Sequence, residues 1–335
     1  MAERQIWRLA RRPSGMDFEA AFEFGSEATP SLGAGDILIH NHYIGMDAGT
    51  RNWLNPREDG FDPPLPLGSP MVGILVGTIE ESAHPEYSKG SLVRAYGQWS
   101  DYSVVNPVDG PVHLLDREID DIRHYIGLLS PSGWTAYFGV LDVGRPKPGE
   151  TFLVSAAAGS TGSIAGQVAR IAGCKTIGLA GSDEKLDWIT TELGFDIGLN
   201  YKTGDLNAKL RDACPGGIDV YFDNVAGPVL DAVLPNMALH GRIALSGLMD
   251  SYNKEGPVPG PYNFDMLLHR RLNLRGFFSP DYFHLGHESD ARMREWMKQG
   301  LISFRFDETQ GIDNALDAFT KMFTGHNIGK SIIKI

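Results

Sequence analysis

The stretch TFLVSAAAGSTGSIAGQVARI, residues 151–171, decides the fold. Its opening run TFLVS (151–155) is short, apolar and bounded by turn residues, as a buried strand requires; Ile164, Val168 and Ile171 then recur at helical spacing on one face. Outward toward the C-terminus the same alternation repeats. Extended runs at 175–180, 197–199 and 218–222 are separated by helical stretches at 183–193 and 205–213. A helix at 229–237, strands at 242–245 and 273–277 and a helix near 291–300 continue the series, interrupted by the proline-rich loop GPVPGPYN at 256–263. Strand and helix in turn predict a doubly wound parallel sheet with right-handed crossovers on both faces.

Toward the N-terminus the pattern differs. Residues up to about 125 carry short β-type runs, ILIH at 37–40 and VGILVGTI at 72–79, broken at close intervals by glycine and proline, as in a small all-β barrel. The tail 301–335 returns to β character, and KSIIKI (330–335) alternates in a way that could complete that first domain. A chain of 335 residues exceeds one ordinary core, so two domains are expected.

Composition limits the function. Hydrophobic residues are 42% and charged residues 21% of the chain, enough to bury a core and too apolar for wholesale disorder. The formal net charge of −12, with no run of lysines and arginines, disfavours a nucleic-acid partner. No segment approaches the roughly 20 apolar residues that span a bilayer, and the basic start MAERQIWRLARRPSG lacks the apolar stretch of a secretory signal, so a cytoplasmic location is expected. Cys174 and Cys214 are the only cysteines, too few for a disulfide scaffold or a four-thiolate structural zinc site.

Between the first strand and helix of the alternating region lies AAAGSTG, 156–162. Glycine there lets backbone N–H groups approach a pyrophosphate at the positive end of the helix. The dinucleotide fingerprint has glycine where Ala157 stands; alone, such a turn is equally a close strand–helix packing device, and the flanking strand and helix favour the nucleotide. At the end of the second strand, where an NAD site usually holds a carboxylate, the chain reads AGSDEK, 180–185. Small residues at the ribose position, with Lys185 a turn later to neutralise a 2′-phosphate, favour NADPH. Taken alone Lys185 is a solvated surface lysine, and Asp183 reads as a helix-start residue.

Several separated motifs, in order, resemble one family. AAAGSTGSIAGQVAR (156–170), GSDEK (181–185), NYK (200–202), YFDNVAG (221–227), SYN (251–253), the closing GHNIGKSIIKI (325–335) and the pattern of Gly90, Val93, Gly97, Trp99 and Tyr102 are similar to the zinc-independent medium-chain reductases. Their branch is the prostaglandin reductase/leukotriene B4 dehydrogenase group, with the plant alkenal double-bond reductases and bacterial curcumin reductase-like enzymes. The resemblance implies a GroES-like β-barrel domain (1–125 and 301–335) around a Rossmann NADPH-binding domain (126–300). It implies that Gly159, Thr161 and Gly162 serve the pyrophosphate, that Ser182, Lys185 and Tyr201 serve the 2′-phosphate side, and that Asn224, Phe277, Ser279 and Asn327 serve the nicotinamide end. Tyr252 matches the family's active-site tyrosine, and homodimers are common among its members. The chain departs from the family at DAGTRNW (47–53), where a tyrosine-bearing Asp-Pro-Tyr stretch is usual, and at Trp134, where leucine is usual.

The implied activity is NADPH-dependent addition of hydride to the C=C bond of an α,β-unsaturated ketone or aldehyde. Hydride attack on the β-carbon of an enone spreads charge over an enolate, so a phenol such as Tyr252 can polarise the oxygen or protonate the product where a carbonyl reductase would use a metal. No metal is expected: the first domain contains no cysteine, and His284 and His287, although spaced like ligands on a helix, lie beyond the nucleotide strands and read as surface or loop histidines. Tyr43, Trp53, Leu65, Met71, Tyr262 and Phe283 are candidates for an apolar substrate pocket; taken singly each is more readily explained as packing, Trp53 and Tyr262 less so because they sit in or beside loops that the resemblance places around the substrate. Two alternatives stand beside this reading. One is an NADPH:quinone oxidoreductase of the same superfamily; the other is a catalytically idle NADPH-binding structural or RNA-binding module, disfavoured by the acidic charge and by Tyr252.

Overall fold

The computed structural model describes residues 3–56, 63–256 and 258–335, so that Pro257 of the proline-rich loop lies outside the described residues. The chain forms two compact units, Met1–Ile126 with Phe306–Ile335, and Gly127–Arg305.

The first unit opens with β1 (Glu3–Leu9), β2 (Phe22–Ala28), β3 (Ile37–Gly45), β4 (Val72–Ser82), β5 (Leu92–Gln98), β6 (Tyr102–Val105) and β7 (Val112–Leu114). All pair antiparallel, and alternate residues such as Ile37 and Ile39 of β3 point into a core shared with Leu75, Val93 and Trp99.

The second unit runs α1 (Pro131–Phe138), β8 (Thr151–Val154), α2 (Ser160–Ile171), β9 (Lys175–Ala180), α3 (Asp183–Thr191), β10 (Ile197–Asn200), α4 (Leu206–Ala213), β11 (Ile218–Asp223), α5 (Gly227–Val233), β12 (Met237–Leu245), α6 (Met266–His269), β13 (Asn273–Gly276) and α7 (Gly286–Lys298). Its six strands are all parallel in the order β10-β9-β8-β11-β12-β13, a doubly wound sheet. The central strands are buried on both faces, which is why β8, β9 and β11 read as almost unbroken apolar runs. Each fully buried Ile, Leu or Val there contributes about 1.5–3 kcal/mol of transfer free energy.

The chain then returns to the first unit as β14 (Phe306–Gln310), α8 (Ala315–Thr324) and β15 (Lys330–Lys334). β15 pairs antiparallel with β3 and parallel with β14, so the C-terminus completes the N-terminal sheet.

Some local expectations change. The helix expected at 229–237 stops at Val233 and tightens into a short 3-10 turn, Leu234–Asn236, because Pro235 has no N–H to continue it; Met237 already belongs to β12. The last helix of the second unit begins at Gly286 rather than near Ala291. Within the tail expected to be β, α8 intervenes: Ala315, Leu316, Phe319 and Met322 form one apolar stripe on the barrel core, and Gly325, at φ 73°, ends the helix.

The departing segment 47–53 is tightly held. Residues Ala48–Leu54 form a 3-10 segment; Arg51, buried, donates to Asn55 Oδ1 and, at 3.1 Å, to the Gly15 carbonyl. Asp47 receives the ammonium of Lys330, whose side chain is only 1% exposed, whereas that of Asp47 is 38% exposed. The two ends of this pair therefore differ in what their loss exposes. Asp47→Leu strands a buried cation and is expected to cost about 3 kcal/mol, while Lys330→Met leaves a carboxylate that water can reach and is expected to cost within about 1 kcal/mol. Urea denaturation midpoints of the two variants check the asymmetry.

Candidate functional site

In the second sheet the order reverses between β8 and β11, and the residues that follow these strands meet at that crevice. Ser155, directly after β8, is buried; its Oγ accepts the Asn224 N–H at 2.9 Å and its carbonyl accepts Asn224 Nδ2 at 2.7 Å, so the Asn224 amide plane is fixed. Below it lies a residue that sequence reasoning missed. Asp223 is buried, and its Oδ1 accepts the Tyr221 hydroxyl at 2.7 Å, Ser155 Oγ at 3.1 Å and the N–H groups of Val225 and Ala226 at 2.9 Å. Burial pushes its carboxyl above the usual range, against those donors, and burial likewise holds the Tyr221 phenol protonated. The two N–H bonds help keep Ala226 at φ 59°, a conformation unusual for a residue with a Cβ. The signal available was a carboxylate ending the apolar run VYF of β11.

The glycine-rich turn leads from Ser155 into α2. Ala156 has φ 50°, and Gly159 caps the helix with its N–H on the Ala156 carbonyl at 2.9 Å. Any side chain at Gly162 would place Cβ 2.2 Å from that carbonyl oxygen, so only glycine lets the turn close on the first turn of α2. Ala157, where the fingerprint has glycine, is accommodated because its methyl fills the space that Gly178 leaves on β9. The Oγ of Ser160, first residue of α2, is buried without a hydrogen-bond partner, next to helix N–H groups that have no intrahelical acceptor. A pyrophosphate fits this donor set, with Thr161 and Gly162 in the same turn.

At the end of β9, Ser182 caps α3 through its backbone and its side chain makes no capping bond. Asp183 begins the helix and accepts Asn200 Nδ2 at 3.3 Å, a helix-start role. The Tyr201 hydroxyl and the Lys202 Nζ lie 3.2 and 3.3 Å from where a Cβ on Gly181 would stand, and burial raises the pKa of the Tyr201 phenol. Lys185 lies on the first turn of α3, partly buried. Lys202 joins this corner as a second cation not singled out from the sequence, although NYK contains it.

After β12 the chain is laced to the Asn224 loop. The N–H groups of Ser246 and Gly247 donate to the Asp223 carbonyl, Met249 to that of Asn224 and Asp250 to that of Val225. Tyr252 closes this loop: its hydroxyl oxygen accepts the Leu248 N–H at 3.2 Å and lies against Gly247, which itself lies against the Asn224 carbonyl. Phe277, following β13, donates its N–H to Leu245 and sets its ring edge-on to Phe222, 6.0 Å between centroids; Ser279 opens the 3-10 segment Ser279–Leu285 that carries Phe283. Asn224, Tyr252 and Phe277 thus share the C-terminal end of the sheet.

The remaining expected residues fall elsewhere. Tyr43 on β3, Trp53 with Leu65 bonded to its carbonyl at 2.8 Å, and Asn327, whose Nδ2 reaches the Gly329 carbonyl, all belong to the first unit. Two further pocket candidates differ sharply in exposure. Met71 is fully buried in the barrel core of the first unit, and Tyr262 of the second is 95% exposed. His284 and His287 are exposed, and among the described residues no group of three or more His, Cys, Asp or Glu side chains is placed to hold a metal ion.

A parallel sheet with a switch-point crevice, a helix N-terminus behind a glycine turn and a cationic corner beyond the second strand define the class of dinucleotide-binding oxidoreductases. Residues 5–111 match the family described as N-terminal domain of oxidoreductase, and 160–298 the one described as zinc-binding dehydrogenase. The chain is 37% identical to the NADPH-dependent curcumin reductase of Escherichia coli over 98% of its own length and 96% of that protein's, and 37% identical to the NADP-dependent 2-alkenal reductase of Nicotiana tabacum over 90% and 88%. The crystal structure of CurA from Vibrio vulnificus in complex with NADPH superposes with a TM-score of 0.92 at 35% identity, covering 98% of each chain. The chain belongs to the medium-chain dehydrogenase/reductase family, in the branch of curcumin, alkenal and prostaglandin reductases.

Proposed function

We propose that this protein is an NADPH-dependent reductase of the C=C bond of α,β-unsaturated ketones and aldehydes. The observation that carries the reading is the Tyr252 hydroxyl beside Asn224 at the C-terminal ends of β11 and β12, in a chain whose relatives bear the names of such reductases. NADPH, when bound, supplies the hydride. The turn 156–162 and the start of α2, with the unpartnered Ser160 Oγ, fit its pyrophosphate; Ser182, Lys185, Tyr201 and Lys202 fit its 2′-phosphate; Asn224, Phe277 and Ser279 flank the nicotinamide end.

Tyr252 donates its phenolic proton in a hydrogen bond to the acceptor's carbonyl oxygen, a bond that strengthens as charge moves onto that oxygen. The N–H that Leu248 delivers to the same phenol oxygen polarises the O–H and improves it as a donor. Following NADPH absorbance with enones, enals, quinones and saturated alcohols, with and without a chelator, tests the reading. Fast oxidation by enones and enals, unaffected by the chelator, is expected. Turnover confined to quinones or to alcohols would overturn it.

The same reading includes a homodimer. β13 is the edge of its sheet and all its residues are exposed, with Leu274 38% and Leu239 of the neighbouring strand 50% exposed, an open strand edge with two exposed leucines suited to a second copy. Sedimentation velocity is expected to give a dimer for the native chain and a monomer for Leu274→Lys. No helix among the described residues is long and apolar enough to cross a membrane.

A further inference from the structure

The segment Ser279–Leu285 follows the nicotinamide-end residue Phe277, begins with Ser279 and carries Phe283, and it is held at two points. At the first, the Tyr282 ring stacks on Phe138 of α1, 4.6 Å between centroids and 10° between planes. Its hydroxyl donates to Asp142 Oδ2 at 2.7 Å and accepts from Arg275 at 3.3 Å. That hydrogen bond, ahead of opposing burial, holds the Asp142 carboxyl below its ordinary pKa, while burial first and the bond second raise the Tyr282 phenol to about 12. This clamp uses ordinary partners.

The second point is Trp134, the residue that stands where the family resemblance leads one to expect leucine. Its indole Nε1 donates to Asp290 Oδ1 of α7 at 2.6 Å, and its ring meets Phe283 edge-to-face, 5.4 Å between centroids at 71°. Gly286, between them in sequence, is the space the indole occupies: a Cβ there would fall 2.8 Å from the ring. Leucine could neither donate to Asp290 nor reach Phe283 with an aromatic edge, so the wedge and the bolt both depend on tryptophan.

We infer that Trp134 is a specificity-determining positioning residue: by bolting α1 to α7 through Asp290 and bracing Phe283, it sets how bulky a β-substituent the enone can carry. The inference rests on the proposed function and takes Phe283, a pocket candidate carried on the segment that follows Phe277, as a wall of the acceptor site. Trp134 itself needs no contact with the acceptor; it acts through the ring it braces. Loosening that ring enlarges the site, which favours large acceptors over small ones.

The test compares kcat/KM for 3-buten-2-one and for its 4-phenyl derivative in the native chain, Trp134→Leu, Asp290→Leu and Asp290→Asn, with NADPH affinity and thermal midpoint measured alongside. Trp134→Leu is expected to raise the ratio of bulky to small acceptor about tenfold with NADPH affinity unchanged. Asp290→Leu should move the ratio the same way, and Asp290→Asn, which keeps an acceptor oxygen, should leave it near the native value. A lower thermal midpoint with an unchanged ratio, or a Trp134→Leu chain too unstable to assay together with an Asp290→Leu ratio like the native one, would overturn the inference while leaving the enone reading intact. A native chain that reduces neither enone would overturn the enone reading, and the inference with it.

Discussion

Tyr252→Phe is expected to lower the turnover of an enone by about 10²-fold, the usual effect of removing one donor to a developing oxyanion. NADPH affinity should stay within about twofold, because the oxygen removed is not among the groups that fit the cofactor. The substitution also takes an acceptor from the Leu248 N–H, a loss on the order of 1 kcal/mol that shows as a small drop in thermal midpoint. Turnover and stability separate the two roles. A variant that loses the small increment of stability but keeps native turnover would make Tyr252 a loop-closing residue and nothing more.

The second large effect is expected at the cationic corner. Lys185→Ala should weaken NADPH about tenfold or more while leaving NADH nearly unchanged, since a charge-assisted bond to the 2′-phosphate is the only interaction the two cofactors do not share. Lys202 stands close to Tyr201 at the end of β9, so Lys202→Ala is expected to act in the same direction, and the double variant to approach equal affinity for both cofactors. Isothermal titration with each dinucleotide measures this. Equal losses for NADPH and NADH would remove both lysines from the 2′-phosphate and return them to the solvated surface.

Much of the architecture is legible in the order of residues because parallel strands buried on both faces write themselves as apolar runs. β9 is an example, with only its first residue exposed. The limits of the reading are equally physical. The helix α8 lies between short strands and is itself short, so its apolar stripe of Leu316, Phe319 and Met322 does not stand out from β-type alternation until the barrel core is seen beneath it. Single prolines and glycines move boundaries, as Pro235 does by ending a helix that the periodicity alone would extend.

The site was legible in part for a similar reason. Groups proposed for the cofactor from within one motif, such as Gly162 and Asn224, could be named from spacing and resemblance. Asp223 could not, because Ser155, which donates to it from the end of β8, comes beside it only when β8 and β11 pair, and those strands are far apart in the chain. Candidate pocket walls are harder to read from the order of residues. An aromatic or a methionine in the right stretch says nothing of the direction of its side chain, and Met71 points into the core while Tyr262 points to solvent.

What the account most needs tested is the carbon that receives hydride. Reducing 4-phenyl-3-buten-2-one with NADPH deuterated at the transferring position, and locating the label by NMR, answers it in one measurement. Deuterium on the β-carbon of the saturated ketone is the predicted result; deuterium on the carbinol carbon of an allylic alcohol would contradict it.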